Sequence, residues 1–222
     1  NSFGDFYLST DIIDFDDTVR QAFGIAARIN TPGLGSTGGY LFSWEPGGGA
    51  LPGETNGDLD ISLLVNEEPV KQIETAPSGL HLTKGKSYRF VFMGSGNNFE
   101  ARVYELPDLT TPLLVLPATD PDNTYATGLV GLIAAANEDC SVAADVTFDN
   151  FVATTAEPKL HISRSGANAT LTWPEIPFVL QSSASLSSPN WTPVTSGIND
   201  ANGLNRFTVP ASGTTFYRLT YP

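Results

Sequence analysis

Apolar and polar side chains alternate with a period of two along most of the first 155 residues. In the segment "FYLSTDII", Phe6, Leu8, Thr10 and Ile12 share one face, as in a strand that buries one side. The same spacing recurs in "AFGIAARI", "GYLFSW", "DLDISLLV", "SYRFVFMG" and "NFEARVYEL". Turns rich in glycine and proline separate these runs. The pattern therefore predicts an all-β fold, a jelly-roll β-sandwich.

The alternation breaks in the segment "VTFDNFVA". Val146 and Phe148 share one face, but Phe151 falls on the opposite side if the strand is regular. A β-bulge that inserts one extra residue would restore the pattern. We therefore expect a bulge at Asp149 and Asn150, with Phe148 and Phe151 both pointing into the core.

A second, smaller unit follows a change in composition. Strand patterning stops near Ala153 and resumes at Leu160, and the residues between them are typical of a short linker. Beyond the linker, "ANATLTW" and "FYRLTY" alternate well. We predict a β-sandwich domain over residues 1–155 and a small β-sandwich-like domain over residues 156–222, too small to be more than marginally stable alone.

Charge narrows the classes of partner. The chain has 222 residues, of which 24 are acidic and 11 basic, and its net charge is −13. This argues against a nucleic-acid partner and against docking on anionic lipid, because both need a cationic surface. No apolar run reaches the roughly 18 residues of a membrane span, so no membrane insertion is expected. The acidic surface also fits solubility alone, divalent cation binding or a salt-rich habitat.

Six segments of the first unit follow one another in a suggestive order: "FYLSTDIIDFDDT", "AFGIAARI", "GGYLFSW", "KGKSYRFVFMGSGNNFEARVYEL", "TGLVGLIAA" and "DVTFDNFVA". In this order, residues 5–153 resemble the concanavalin A-like lectin/glucanase superfamily, including laminin G-like modules. Members usually carry strands ahead of the one that "FYLSTDII" resembles, whereas only five residues precede Phe6 here. The resemblance therefore implies that such strands were cut away, that the fold is abbreviated, or that another chain supplies the missing strand. An open sheet edge is a place where strand addition or self-association could occur.

The C-terminal part has its own resemblance. Its segments "ATLTWPE", "FVLQSSASLSSPNWTPV" and "FYRL" are similar to those of small fibronectin III-like or immunoglobulin-like sandwiches in secreted bacterial proteins. This resemblance implies an extracellular or cell-surface location.

Sugar chemistry is the first function that the larger resemblance implies. Glucanases of the superfamily carry an E-x-D-x-x-E pattern on one strand, which this sequence lacks; Asp58 and Asp60 share a strand face without a third acid. A lectin site instead presents aromatic rings to sugar C–H surfaces, with Arg, Asp or Asn bonding the hydroxyls. The candidates are Arg28, Tyr40, Trp44, Arg102, Tyr104 and Tyr125. We expect both arginines to face away from the core; the alternative for the aromatic residues is that they are core residues.

Calcium binding is the second candidate function. It takes six to eight oxygen ligands, usually from loops. By resemblance to sandwich lectins, the last-strand Asp149 is a candidate ligand of a structural Ca²⁺, and "ATDPDNTYATG" offers Asp120 and Asp122. The alternatives are an Asx-turn at Asp120 and Asp122, and a carboxylate that accepts backbone N–H bonds at Asp149.

The sequence thus predicts a non-catalytic, secreted carbohydrate-binding or surface-adhesion module, with a polysaccharide or cell-surface glycan as its partner. The first alternative is a structural subunit of an extracellular filament or surface layer, which light scattering would reveal as self-assembly. The second is a polysaccharide-modifying enzyme that depends on Asp58 and Asp60.

Overall fold

The alternating segments of the sequence form strands throughout the chain. The computed structural model describes residues 2–45, 57–77, 80–136, 143–155, 159–174, 179–201 and 204–220. These ranges contain no α-helix, and so no helix that could cross a membrane. The strands fall into two units, Asn1–Glu157 and Pro158–Pro222. The predicted all-β fold is confirmed.

The first unit contains the strands β1 (Phe6–Phe15), β2 (Gln21–Asn30), β3 (Gly38–Trp44), β4 (Leu59–Val65), β5 (Glu68–Thr75), β6 (Tyr88–Ser95), β7 (Asn98–Glu105), β8 (Leu114–Thr119), β9 (Leu129–Ala136) and β10 (Val146–Thr154). They form two five-stranded antiparallel sheets, with the strand orders β10-β1-β6-β7-β8 and β5-β4-β3-β2-β9.

The two sheets of the first unit share one apolar core, to which both contribute side chains. Aromatic rings pack edge to face in it: the ring of Trp44 lies 5.1 Å from that of Phe15 and 5.4 Å from that of Phe23, between centroids. Burial of one such large side chain stabilises the fold by roughly 1.5–3 kcal/mol. This is the β-sandwich that the alternation predicts.

The strand β10 carries the expected bulge, one residue later than predicted. Its register with β1 shifts beside Thr10, so that Asn150 and Phe151 together lie opposite that one residue. Asn150 has a φ of 53°, a left-handed conformation that asparagine tolerates better than most residues. Phe148 packs against the core, but Phe151 is 40% exposed, because it is itself a bulge residue rather than the first residue after the bulge. The prediction that both rings enter the core is therefore wrong.

An ion pair ties the neighbours of β10 together on the face of the sheet opposite the core. The Nε and Nη2 atoms of Arg89 donate to the two carboxylate oxygens of Asp11, at 2.6 and 2.8 Å. The side-chain amide of the bulge residue Asn150 donates to the same carboxylate at 2.8 Å. Both charged side chains are buried, so this pair fixes β6, β1 and β10 to one another.

The second unit contains β11 (His161–Ser165), β12 (Asn168–Pro174), β13 (Val179–Ser183), β14 (Thr192–Pro193), β15 (Ile198–Ala201), β16 (Leu204–Pro210) and β17 (Phe216–Thr220). These strands form a four-stranded sheet in the order β11-β12-β16-β15 and a three-stranded sheet in the order β14-β13-β17. Leu171, Trp173 and Leu180 are buried at the centre of this unit. Among the residues described, seven partly buried apolar side chains pack against these three: Leu160, Val194, Ile198, Phe207, Val209, Tyr217 and Leu219.

Candidate functional site

A cleft of about 770 Å³ opens at one end of the first sandwich. The hairpin of β6 and β7, together with the end of β8, forms much of it. Register across these strands aligns Met93, Glu100 and Pro117 in one row and Ser95, Asn98 and Thr119 in another. Asp5 and Phe6 at the start of β1, Ile73 and Glu74 of β5, and Thr155 complete its polar and apolar borders.

A third row of lining residues lies between these two. Gly94, Phe99 and Ala118 are aligned there, and all three are buried. A Cβ atom at Gly94 would overlap the ring of Phe6. The absence of a side chain at Gly94 therefore lets the Phe6 ring pack directly against the backbone there, with its centroid 6.2 Å from that of Phe99.

Polar groups at the rim are held in place by hydrogen bonds. The carboxylate of Asp5 accepts bonds from the Gly96 amide at 3.0 Å and the Ser95 hydroxyl at 3.2 Å. The hydroxyl of Thr119 donates to the side-chain oxygen of Asn98 at 3.0 Å. Each group keeps further lone pairs or protons for a ligand, and its position is set before a ligand binds.

The charge of the cleft is negative. Asp5, Glu74 and Glu100 are carboxylates of the lining, and none of the described lining residues is lysine, arginine or histidine. The charge of Glu100 is partly compensated, because Arg102 donates to it from Nε and Nη2, both at 2.6 Å. Arg102 itself lies outside the lining.

Arg28 differs from expectation, because it lies inside the sandwich rather than on the face away from the core. It is 1% exposed, and its Nε donates to the carbonyl oxygen of Gly4 at 2.9 Å. Its guanidinium lies over the ring of Phe99, 5.1 Å from the centroid. A break in register within β2 and a φ of 50° at Arg28 turn the side chain inward, which period-two counting could not anticipate. Burial lowers the pKa of Arg28.

Three of the predicted aromatic ligands also pack into this core. Tyr40 and Trp44 are buried in it, and the half-buried Tyr125 packs edge-on against Tyr40 with 5.9 Å between centroids. The hydroxyl of Tyr40 donates to Asp120 at 2.7 Å. Burial of the phenol raises the pKa of Tyr40 to about 12. These rings therefore pack as core residues, which is the alternative that the sequence left open for them.

Tyr104 and Arg102 lie together on β7, half-buried on the face away from the core. Arg102 is where the sequence predicts it, and its partner Glu100 borders the cleft. The structure thus separates the six predicted ligand residues into an internal group, which includes Arg28 and Tyr40, and an external pair. None of the six lines the cleft.

The predicted calcium ligands occupy two different elements. Asp120 is fully buried, and its oxygens accept bonds from the Tyr40 hydroxyl and from the Thr124 amide, the latter at 3.0 Å. Burial opposes ionisation, but these bonds prevail and lower the pKa of Asp120. Asp122 is exposed in the same turn.

Asp149 is the predicted ligand on the other element. It is exposed on β10, and its carboxylate accepts a bond from the backbone N–H of Asn150 at 2.8 Å. Across the described ranges, no three His, Cys, Asp or Glu side chains cluster as metal ligands would. Ca²⁺ binding therefore stays a prediction from the sequence.

A second chemical feature is the carboxyl group of Asp60 on β4. Its neighbours Leu59 and Ile61 point into the core, so Asp60 faces the other way, yet it is only 8% exposed. The Ser43 hydroxyl and the Gln72 amide donate to its two oxygens at 3.3 and 3.2 Å. Burial, followed by the negative charge of Glu45, raises the pKa of Asp60 to about 7.

The cleft residues were missed by sequence reasoning because none of them forms a motif. A weaker signal existed: alternation places Met93, Ser95, Asn98 and Glu100 on the outward face of one hairpin, around the turn "GSGNN". The other cleft residues, on β8 and β5, are distant in sequence from this hairpin. Only the pairing and packing of the strands bring them to the same cleft.

Comparison with known proteins identifies likenesses among solved structures. No protein-family model matches the sequence, and no curated protein matches it. Among solved structures, the chain is similar to the carbohydrate binding module CBM66 from Bacillus subtilis, with a TM-score of 0.49 and 17% identity. The match covers 69% of this chain and 76% of that module.

Proposed function

We propose that this chain is a non-catalytic, extracellular carbohydrate-binding module, and that its first unit holds the glycan in the cleft at the end of the sandwich. The observation that carries the proposal is the composition of that cleft. Apolar surface from Met93, Ile73 and Pro117 lies beside hydroxyl, amide and carboxylate groups. Sugars present the matching pattern, because C–H faces alternate with hydroxyl groups around each ring.

The size and rigidity of the cleft support the same proposal. A volume of about 770 Å³ falls within the range of small-molecule sites and exceeds what a single sugar ring fills. Two of its strands, β6 and β7, are joined by the tight turn at Gly96, and Asp5 is bonded to that turn. A preformed site of this kind loses little conformational entropy when a ligand binds.

The proposed location rests on the second unit. Its strand segments resemble small sandwiches of secreted bacterial proteins, and surface polysaccharide is the partner that such a location would offer. An extracellular site also agrees with a net charge of −13, which keeps a chain soluble among other macromolecules.

A glycan array followed by isothermal titration calorimetry tests the proposal. We expect at least one glycan to bind, and Glu74→Ala to weaken its binding by about tenfold, because a carboxylate that accepts sugar hydroxyl protons is lost. Glu68→Ala is the matched control, because Glu68 lies on the same strand but outside the lining. The absence of any glycan ligand, or an equal loss in both variants, would overturn the proposal.

A second candidate is a polysaccharide-cleaving enzyme, and the raised pKa of Asp60 favours it. A carboxyl group that keeps its proton near neutral pH is suited to general acid catalysis, and Asp58 and Glu45 provide carboxylates close by. Release of reducing ends from a polysaccharide panel, absent in Asp60→Asn and in Asp58→Asn, would establish this function. Unchanged turnover in both variants, or no turnover by the parent chain, would exclude these acids as catalysts.

A further inference from the structure

We propose that the carboxylates around the cleft select a glycan with protonated amino groups, such as a polymer of glucosamine. This inference rests on the proposed carbohydrate-binding function and adds the substrate class. The proposed site is the cleft of about 770 Å³, whose lining combines apolar side chains with hydrogen-bonded polar groups. The acidic side chains determine only whether a positively charged or a neutral glycan binds more tightly.

Three carboxylates reach the cleft from three different elements. Asp5 precedes β1 and Glu100 lies on β7 of the same sheet, whereas Glu74 lies on β5 of the opposite sheet. A ligand in the cleft therefore meets carboxylates contributed by both sheets. Charges arranged in this way around a concave surface reinforce one another and raise the local concentration of cations.

Basic residues close to the cleft are directed elsewhere. Lys71 lies on β5 near Ile73, but its ammonium lies 3.8 Å from the buried carboxylate of Asp120. Arg102 neutralises part of the charge of Glu100 without lining the cleft. Among the described lining residues the cleft therefore contains acceptors and negative charge, and no cationic group to hold a sulfate or a uronate.

The rim also offers the hydrogen bonds that an ammonium group needs. An ammonium group has three N–H donors and no acceptor, so it requires oxygen atoms only. Asp5, Glu74 and Asn98 provide such oxygens at the mouth of the cleft. An N-acetylated sugar has a single N–H donor and an added carbonyl oxygen in the same place, and this carbonyl would face carboxylates.

Calorimetry on the intact chain tests the inference with a matched pair of ligands. A fully deacetylated glucosamine oligosaccharide is compared with the fully N-acetylated oligosaccharide of equal length, at a mildly acidic pH that protonates the amines. We expect the deacetylated ligand to bind about tenfold more tightly at low salt, which is what several partly exposed ion pairs contribute together. High salt should remove most of the preference.

Two variants separate a site from the general attraction of an acidic protein for a polycation. Glu74→Gln should reduce the preference severalfold, whereas Glu68→Gln, which removes the same charge outside the cleft, should leave it intact. Equal losses in the two variants would overturn the inference. Equal binding of the two oligosaccharides would also overturn the inference, and so would a glycan array on which only neutral glycans bind. In both of these cases the proposed carbohydrate binding would stand. No binding to the array or to either oligosaccharide would overturn both proposals.

Discussion

Replacement of Asp60 by asparagine should remove a pH dependence of stability that the buried carboxyl imposes on the first unit. The pKa of this group is raised from 3.8 to about 7, so between these values the folded chain holds a proton that the unfolded chain releases. The free energy of unfolding therefore falls as the pH rises through this window, and it stays lower above pH 7. About three pH units at 1.36 kcal/mol each give a total of up to about 4 kcal/mol.

The neutral amide that Asp60→Asn introduces keeps the shape of the side chain and does not ionise. We expect the variant to be as stable as the parent chain near pH 4 and more stable near neutral pH. The pKa of about 7 limits the gain to the total given above. Urea unfolding at a series of pH values measures both curves, and their difference cancels every titration that the two proteins share. Carbon-13 NMR of the aspartate carboxyl groups reads the titration directly.

Two results would refute this reasoning. Parallel stability curves for the parent chain and the variant would mean that the Asp60 carboxyl has the same pKa in the folded and unfolded states. An NMR titration midpoint near 4 for Asp60 would show the same, since a solvated carboxyl titrates there. Asp122→Asn is the control, because it removes an exposed carboxyl group of the same unit.

Three further substitutions test the packing of the first unit by urea unfolding. Arg89→Met should cost about 3–5 kcal/mol, because it leaves the carboxylate of Asp11 buried without its cation, and a loss below about 1 kcal/mol would show that the pair is hydrated. Gly24→Ala should cost about 3 kcal/mol, because the new Cβ would overlap a carbonyl oxygen of β3; unchanged stability would mean that the strands can separate there. Tyr40→Phe should cost about 1–3 kcal/mol through the donor lost to Asp120, and a neutral effect would indicate that water replaces the hydroxyl.

Strand identity was predictable from the sequence because it depends on neighbouring residues. Alternation in segments such as 6–12 and 98–105 fixes which side chains face the core, and the observed core contains Phe6, Leu8 and Ile12 as expected. The bulge in β10 was also predictable, because the order of Phe148 and Phe151 violates a period of two. The exact residues of the bulge were not predictable, because they depend on the left-handed conformation of Asn150.

The site was less predictable, because it depends on pairs of residues far apart in the chain. Arg28 has the spacing of an outward residue, and only its left-handed conformation turns it inward. The cleft joins Glu74 to Glu100 through the packing of separate strands, with no motif to mark either residue. Asp60 was noticed for its spacing from Asp58, but its raised pKa follows from burial, which spacing does not reveal.

The pairing of β1 with β10 has a consequence for how the chain folds. These two strands lie side by side, and the hydroxyl of Thr10 donates to the carbonyl of Asp149, 139 residues later. During synthesis, nearly the whole unit must therefore emerge before that edge of the first strand can be closed. Contacts of such long range slow folding, because the entropy of closing the loop is lost before any contact compensates for it. A chain that stops before Val146 would leave the outer edge of β1 without its partner strand, available for pairing with other chains.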